Sequence, residues 1–185
     1  MKISVKQMTL VALFAALTAV SSQIAVPVPF SPVPFTMQVV AVCLAGGILG
    51  RKLGSLSIII YLLLGAIGLP VFAHFSSGLH ILVGPTGGFL LSFPLAAYVI
   101  GSITEKKITY LRTTIAMLLA LILIYGIGLI QFKYVTSMTW EQSFLLAVAN
   151  YIIPDLIKIV LTSAIVMKVS HVLERNNLKV SMKNS

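Results

Sequence analysis

Apolar stretches of membrane-spanning length follow one another through this chain, broken only by short joints bearing glycine, proline or charge. A bilayer crossing takes about 20 apolar residues in a helix, which satisfies its own backbone groups where no water can. Six such stretches fall at approximately 9–28, 36–50, 54–72, 86–103, 112–131 and 142–168. The joints carry breaker chemistry: Pro27, Pro29, Pro32 and Pro34 after the first, Gly54 after the second, Gly78 and Gly84-Pro85 before the fourth, and a polar 133–143 stretch before the sixth. The expected architecture is therefore all-α: a compact bundle of six transmembrane helices forming one membrane domain over residues 1–185. Composition agrees, since only 9% of residues are charged and mean hydropathy is +1.06, where soluble domains carry roughly 25% charged residues. No length remains for an ATPase, so any energy source is expected to be external.

Lys2 and Lys6 precede the first run as they would in a secretory signal, but no small-residue cleavage site followed by a polar sequence appears, and a retained helix is expected. Cys43 is the only cysteine and lies in an apolar stretch, where it reads as a small buried hydrophobe.

Positive charge orients the bundle. Lys2 and Lys6, Arg51 and Lys52, Lys106, Lys107 and Arg112, and then Lys168, Arg175, Lys179 and Lys183 fall at alternate joints, on one side of a six-span arrangement. The positive-inside rule makes that side cytoplasmic and places both termini there, in a multi-pass protein of the cell membrane. The formal charge of +9 does not indicate nucleic acid, because the basic residues form short juxtamembrane groups and no continuous groove with stacking aromatics. The C-terminal group would attract anionic lipid or serve only as a solvated helix end.

Three segments are candidates for function. A helix from Thr36 to Gly50 spans roughly 22 Å, less than the ~30 Å hydrocarbon core. The Pro-Val-Pro-Phe-Ser-Pro-Val-Pro-Phe segment at 27–35 is therefore expected to enter from outside and meet it, although a tilted short helix would also satisfy the pattern. Pro32 belongs to that wall, and Thr36 and Gln38 open the helix beside it; an amide such as that of Gln38 is costly against lipid. In the second segment, Gly84, Thr86, Gly87, Gly88 and Phe89 stand at the outer entrance of helix 4, where bare backbone permits close approach of a ligand, or simply a turn and tight helix packing.

The third segment lies in helix 6. Asp155 is the one acidic residue within a span, Lys158 follows by three, and Tyr151 precedes by four, so the three share a helix face. Pro154 removes the N–H that would reach the Asn150 carbonyl and is expected to bend the helix. The pair would lock the bundle as an ion pair or serve a ligand needing both acceptors and a cation.

Helix 1 carries overlapping small-residue pairs, Ala12 with Ala16 and Ala15 with Ala19, suited to close approach of another helix, either internal or from a membrane partner. Enzyme signatures are lacking: His74, His80 and His171 form no zinc ligand set, Ser76-Ser77 has no activating context, and no Gly-x-Ser-x-Gly elbow occurs. No catalytic residue, metal or bound cofactor is expected.

Val28-Pro29-Phe30-Ser31-Pro32-Val33-Pro34-Phe35-Thr36-Met37-Gln38, Gly68-Leu69-Pro70-Val71-Phe72, Gly84-Pro85-Thr86-Gly87-Gly88-Phe89 and Asp155-x-x-Lys158 together resemble the BioY biotin transporters, the substrate-binding (S) components of energy-coupling-factor transporters. The resemblance runs along the whole chain. It implies a six-helix S component that binds biotin from outside and works with a transmembrane coupling protein and a pair of cytoplasmic ATPases. It also implies that the helix 1 small-residue face touches the coupling protein, and that the ligand meets the Pro32–Gln38 wall, the Gly84–Phe89 segment, Asp155 and Lys158. Departures from the family pattern are Ile153-Pro154 before the aspartate, His74 and Phe75 after the Gly-Leu-Pro-Val-Phe phrase, and Ser92 where glycine is common. An S component for another vitamin and a non-transporting membrane scaffold are the competing readings.

Overall fold

The computed structural model describes residues 4–176; Lys2, Lys179 and Lys183 of the charge pattern lie outside the described residues. Helix α1 (Val5–Gln23) begins at a capping box in which Ser4 and Gln7 satisfy each other's backbone N–H groups. It starts one turn before the expected residue 9 and stops short of residue 28, because Ala25–Val26 (β1) leaves the helix to pair antiparallel with Phe35–Thr36 (β2). The proline segment is thus the loop of a small ribbon.

Helix α2 (Gln38–Ala66) occupies both of the next two expected spans, 36–50 and 54–72. It is folded back on itself. Gly50 has φ 79° and ψ −179°, a conformation reserved for glycine, and the chain reverses there without a loop. Two contacts measure the reversal. Gln38 Nε2 donates to Tyr61 Oη at 2.6 Å, whereas 23 residues along a straight helix would separate them by about 35 Å. A Cβ on Gly54 would lie 2.7 Å from the Ala45 carbonyl, so the glycine expected at the joint instead lets the two halves pack. Glu105 secures the turn: its carboxylate accepts from the Arg51 N–H at 2.8 Å, at the start of the second half, and pairs with the Arg51 guanidinium at 3.3 Å. The second half ends at Ala66, earlier than the expected 72, where Gly68 turns with φ 109° ahead of Pro70.

A strap with a 3-10 turn (Ala73–Phe75) and the short α3 (Leu79–Val83) lead to α4 (Gly87–Thr104). Helix α5 (Tyr110–Thr136) follows, then α6 (Trp140–Phe144), a π-helical turn (Leu145–Ala149) and α7 (Asn150–Arg175). The α4 and α5 bounds lie close to the expected spans, with α5 longer at both ends. Pro154 lies inside α7, and the irregularity of the sixth span is the widened π turn at Leu145–Ala149, N-terminal to it.

Helix α4 packs between α2 and α5, α7 closes against α2 and α5, and α1 lies on α2. Gly46 and Gly47 let α2 approach the Ala97 backbone and Val166 closely. The core contains fully buried Tyr61, Phe72, Met117 and Phe132, while Leu63, Leu119, Ile122 and Leu161 face outward from the middle of their helices. Such an outer surface is suited to lipid. Among the described residues, five helical runs, α2 being one and α6–α7 another, are long and apolar enough to cross a membrane. The molecule is an all-α, multi-pass membrane protein.

Candidate functional site

The proline segment owes its position to α7. Tyr151 donates its hydroxyl to the Val33 carbonyl and contacts Ser31 Oγ at 3.1 Å. Ser31 Oγ in turn donates to the Leu146 carbonyl at 2.8 Å and accepts from the Val33 N–H at 3.1 Å. Leu146 lies in the π turn, where an altered hydrogen-bond ladder leaves a carbonyl for an outside donor. Asn150 Nδ2 donates to the neighbouring Leu145 carbonyl at 3.0 Å. The irregular end of the sixth span and the proline-rich loop therefore hold each other.

Two turns into α7, Asp155 and Lys158 form a buried pair. Lys158 Nζ lies 2.8 Å from Asp155 Oδ1, donates to the Thr36 carbonyl of β2 at 2.6 Å, and stands 3.6 Å from the centre of the Phe35 ring. Tyr125 of α5 donates to Asp155 Oδ2 at 2.7 Å. Both charged residues are less than a tenth exposed, at 4% and 7%. The three Lys158 contacts use an anion, a carbonyl dipole and an aromatic face, as a desolvated ammonium requires. Each carboxylate oxygen of Asp155 retains further acceptor capacity, because an ionised carboxylate offers about four lone-pair sites. Beside the pair, Thr36 Oγ1 donates to Gln38 Oε1 at 3.0 Å, and the Gln38 amide donates to Tyr61. Gln38 is thereby satisfied away from lipid.

These groups border a cavity of about 220 Å³. One wall is the proline segment; α4 contributes Phe89 and Phe93, α5 contributes Ile124 and Tyr125, and the 72–76 strap contributes Phe72, His74 and Ser76. The lining is largely apolar, with polar groups gathered around Asp155, the combination typical of small-molecule sites.

Of the residues singled out from sequence, Pro32, Thr36, Gln38, Thr86, Phe89, Tyr151, Asp155 and Lys158 line this cavity. Gly84, Gly87 and Gly88 are not among its lining residues. The Gly84 carbonyl accepts from Gln131 Nε2 at 2.9 Å, Gly87 lies tight beneath the Leu82 carbonyl, and a Cβ on Gly88 would come within 2.8 Å of the Ile127 carbonyl. Gly88 thus lies where α4 packs on the α5 backbone, Gly87 where the end of α3 and the Gln131 side chain meet the start of α4, and Gly84 against the His80 and Ile81 carbonyls of α3. Tyr125 is not among the residues singled out from sequence; its signal there is a tyrosine in the middle of an apolar span, far from either interface. On α1, Ala15 is 2% exposed and Ala19 packs against the core, whereas Ala12 and Ala16 lie on the outer face beside exposed Met8, Leu13 and Val20. The two small-residue pairs therefore serve different faces.

The sequence model of the BioY family matches residues 1–175. The probable biotin transporter BioY of Pyrococcus horikoshii is 45% identical over 153 residues, which cover 83% of this chain and 89% of that protein. The biotin transporter BioY of Thermotoga maritima is 37% identical over 163 residues, 88% of this chain and 95% of that one. Among solved structures, the S-component for biotin from an ECF-type ABC transporter superimposes with a TM-score of 0.84 at 28% identity, covering 89% of this chain and 90% of that chain. A family match over nearly the whole length, relatives aligned over most of both chains and a shared backbone fold lead to one assignment: this chain belongs to the BioY family.

Proposed function

We propose that the protein captures biotin from outside the cell and passes it inward as the S component of an energy-coupling-factor transporter. The observation that carries this reading is the apolar cavity ending in the Asp155–Lys158 pair, set in a chain whose relatives are biotin transporters. Biotin presents a flat ureido edge with two N–H donors and one acceptor, an apolar thioether ring and a carboxylate tail. Asp155, held by Lys158 and Tyr125, faces the ureido donors with its remaining acceptor sites. The ammonium of Lys158 satisfies an acceptor or offsets the anion. Phe35, Phe89 and Phe93 cover the apolar ring system, and Tyr151 keeps the proline wall in place over it. Gly88 contributes by setting the α4–α5 spacing, and Gly87 by admitting the Leu82 carbonyl and the Gln131 amide at the start of α4.

In this account the folded α2 contributes two membrane crossings to a total of six, and the basic joints place both termini in the cytoplasm. The protein has no ATPase of its own; Ala12 and Ala16 on the outer face of α1 meet a transmembrane coupling protein, which carries the action of two cytoplasmic ATPases. Equilibrium binding of labelled biotin to detergent-purified protein, with riboflavin, thiamine and dethiobiotin as competitors, tests the reading. Submicromolar, saturable biotin binding is expected. Preference for another vitamin, or no solute binding by a folded sample, overturns it.

A further inference from the structure

The end of α1 carries a polar pair, Ser22 and Gln23, whose bonds reach across to one side of the cavity. Ser22 Oγ donates to the Val71 carbonyl at 2.6 Å. Gln23 grips the following residues with both ends of its amide: Nε2 donates to the Phe72 carbonyl at 3.0 Å, and Oε1 accepts from the Phe75 N–H at 3.0 Å. Between those two grips the chain runs through the 3-10 turn and closes on itself, with the Phe72 N–H donating to the Ser76 carbonyl at 3.0 Å. Phe72, Ala73, His74 and Ser76 of this strap line the cavity.

The strap does not have a comfortable backbone. His74 and Phe75 are consecutive non-glycine residues at φ 56° and 54°, a left-handed conformation that bulky side chains hold only where surrounding structure imposes it. One anchor is Phe72, fully buried against Gly65 and edge-on to Tyr61 at 5.6 Å between ring centres. Three residues on, the Phe75 side chain is exposed and its N–H is tied to Gln23. The strap's own bonds, Phe72 N–H and Ser76 N–H to the Ser76 and Ala73 carbonyls, close the turn on itself, and the Gln23 amide is what ties it to α1 at both ends of the left-handed pair.

We infer that Gln23 is a positioning residue for ligand retention: its amide fixes the 72–76 strap in the conformation that walls the cavity, and so sets the rate at which bound ligand escapes. This inference rests on the biotin-binding reading for its ligand, but the strap can be followed without one.

The test uses the full chain in detergent with two readouts, the dissociation rate of labelled biotin in a chase and amide hydrogen exchange across residues 71–78 without ligand. Gln23→Leu removes both grips. Losing two neutral hydrogen bonds is expected to speed dissociation about tenfold and to raise exchange at 71–78, with exchange in α4, α5 and α7 unchanged. Gln23→Glu keeps the acceptor for the Phe75 N–H but, as a carboxylate, loses the donor to the Phe72 carbonyl, so an intermediate rate with Phe75 still protected is expected. An unchanged dissociation rate in Gln23→Leu, or exchange raised uniformly through the bundle, overturns the inference. If Gln23→Leu does not fold, an unchanged rate in Gln23→Glu overturns it equally. Failure of the unmodified protein to bind biotin overturns the functional reading instead, and unaltered exchange at 71–78 in the variants then rejects the strap tie on its own.

Discussion

Removing the cation from the α7 pair separates a structural ion pair from a binding pair. In Lys158→Ala, Asp155 Oδ1 loses a 2.8 Å partner, the Thr36 carbonyl loses a 2.6 Å donor and the Phe35 ring loses its cation, while the Tyr125 hydroxyl at 2.7 Å remains. In Asp155→Asn the shape survives, but an amide replaces the acceptor carboxylate facing the ureido N–H groups. Hydrogen bonds to charged groups contribute about 1.5–3 kcal/mol each, so either change is expected to weaken biotin by roughly 10- to 150-fold. Both single variants also leave a buried group without its partner and should melt at lower temperature. The double variant Asp155→Asn with Lys158→Met removes both charges and keeps the volume. Its thermal stability should recover relative to the single variants, while its affinity should not. Calorimetric or radioligand titration beside thermal melts of the three proteins reads both quantities. Near-wild-type affinity in the double variant would refute the reasoning, because the pair would then serve packing alone.

Gly50→Ala forces a side chain into φ 79° and brings its Cβ within 2.5 Å of Glu105 Oε1; a loss of about 1–3 kcal/mol is expected, visible as a lower melting midpoint in detergent, and an unchanged midpoint contradicts the hairpin geometry. Ala12→Trp or Ala16→Trp should abolish energised uptake with the coupling module while biotin binding by the isolated subunit persists, whereas Ala15→Trp, at a position 2% exposed, should lose folded protein; persistent uptake in the first two removes them from the coupling face. In a Cys43→Ala background, cysteines replacing Ser4 or Lys107 should resist an impermeant thiol reagent in intact cells while those replacing Ser77 or Ser137 react, and the reverse pattern inverts the orientation.

The parts of the fold that were legible in the sequence are those governed by local pattern. Apolar run length placed α4 within one residue at each end, because glycine and charge bound it, whereas α5 continues to Thr136, past the expected 131, through a stretch whose polar residues do not stop a helix. Helical spacing alone put Tyr151, Asp155 and Lys158 on one face, and the cost of charge in lipid turned that face inward. The reversal of α2 was harder to place, since four glycines at 46, 47, 50 and 54 crowd the region and only the backbone shows which one takes positive φ. Gly54 looked like the turn and is instead the surface on which the hairpin closes. Composition was also ambiguous at Gly84, Gly87 and Gly88, because close helix packing and close ligand approach require the same absence of a side chain. Tyr125 and Gln23 act through partners 30 and 49 residues away respectively, contacts that no local pattern encodes. The small-residue stripe on α1 reads as one feature in sequence; burial divides it into an inward pair and an outward pair.

Determining the structure of the purified protein saturated with biotin tests the central claim most directly. The account predicts the ureido group within hydrogen-bond distance of Asp155, the ring system between the proline segment and Phe89, and the 72–76 strap closed over the ligand. Biotin bound elsewhere on the molecule, or an Asp155–Lys158 pair making no contact with it, would contradict the account.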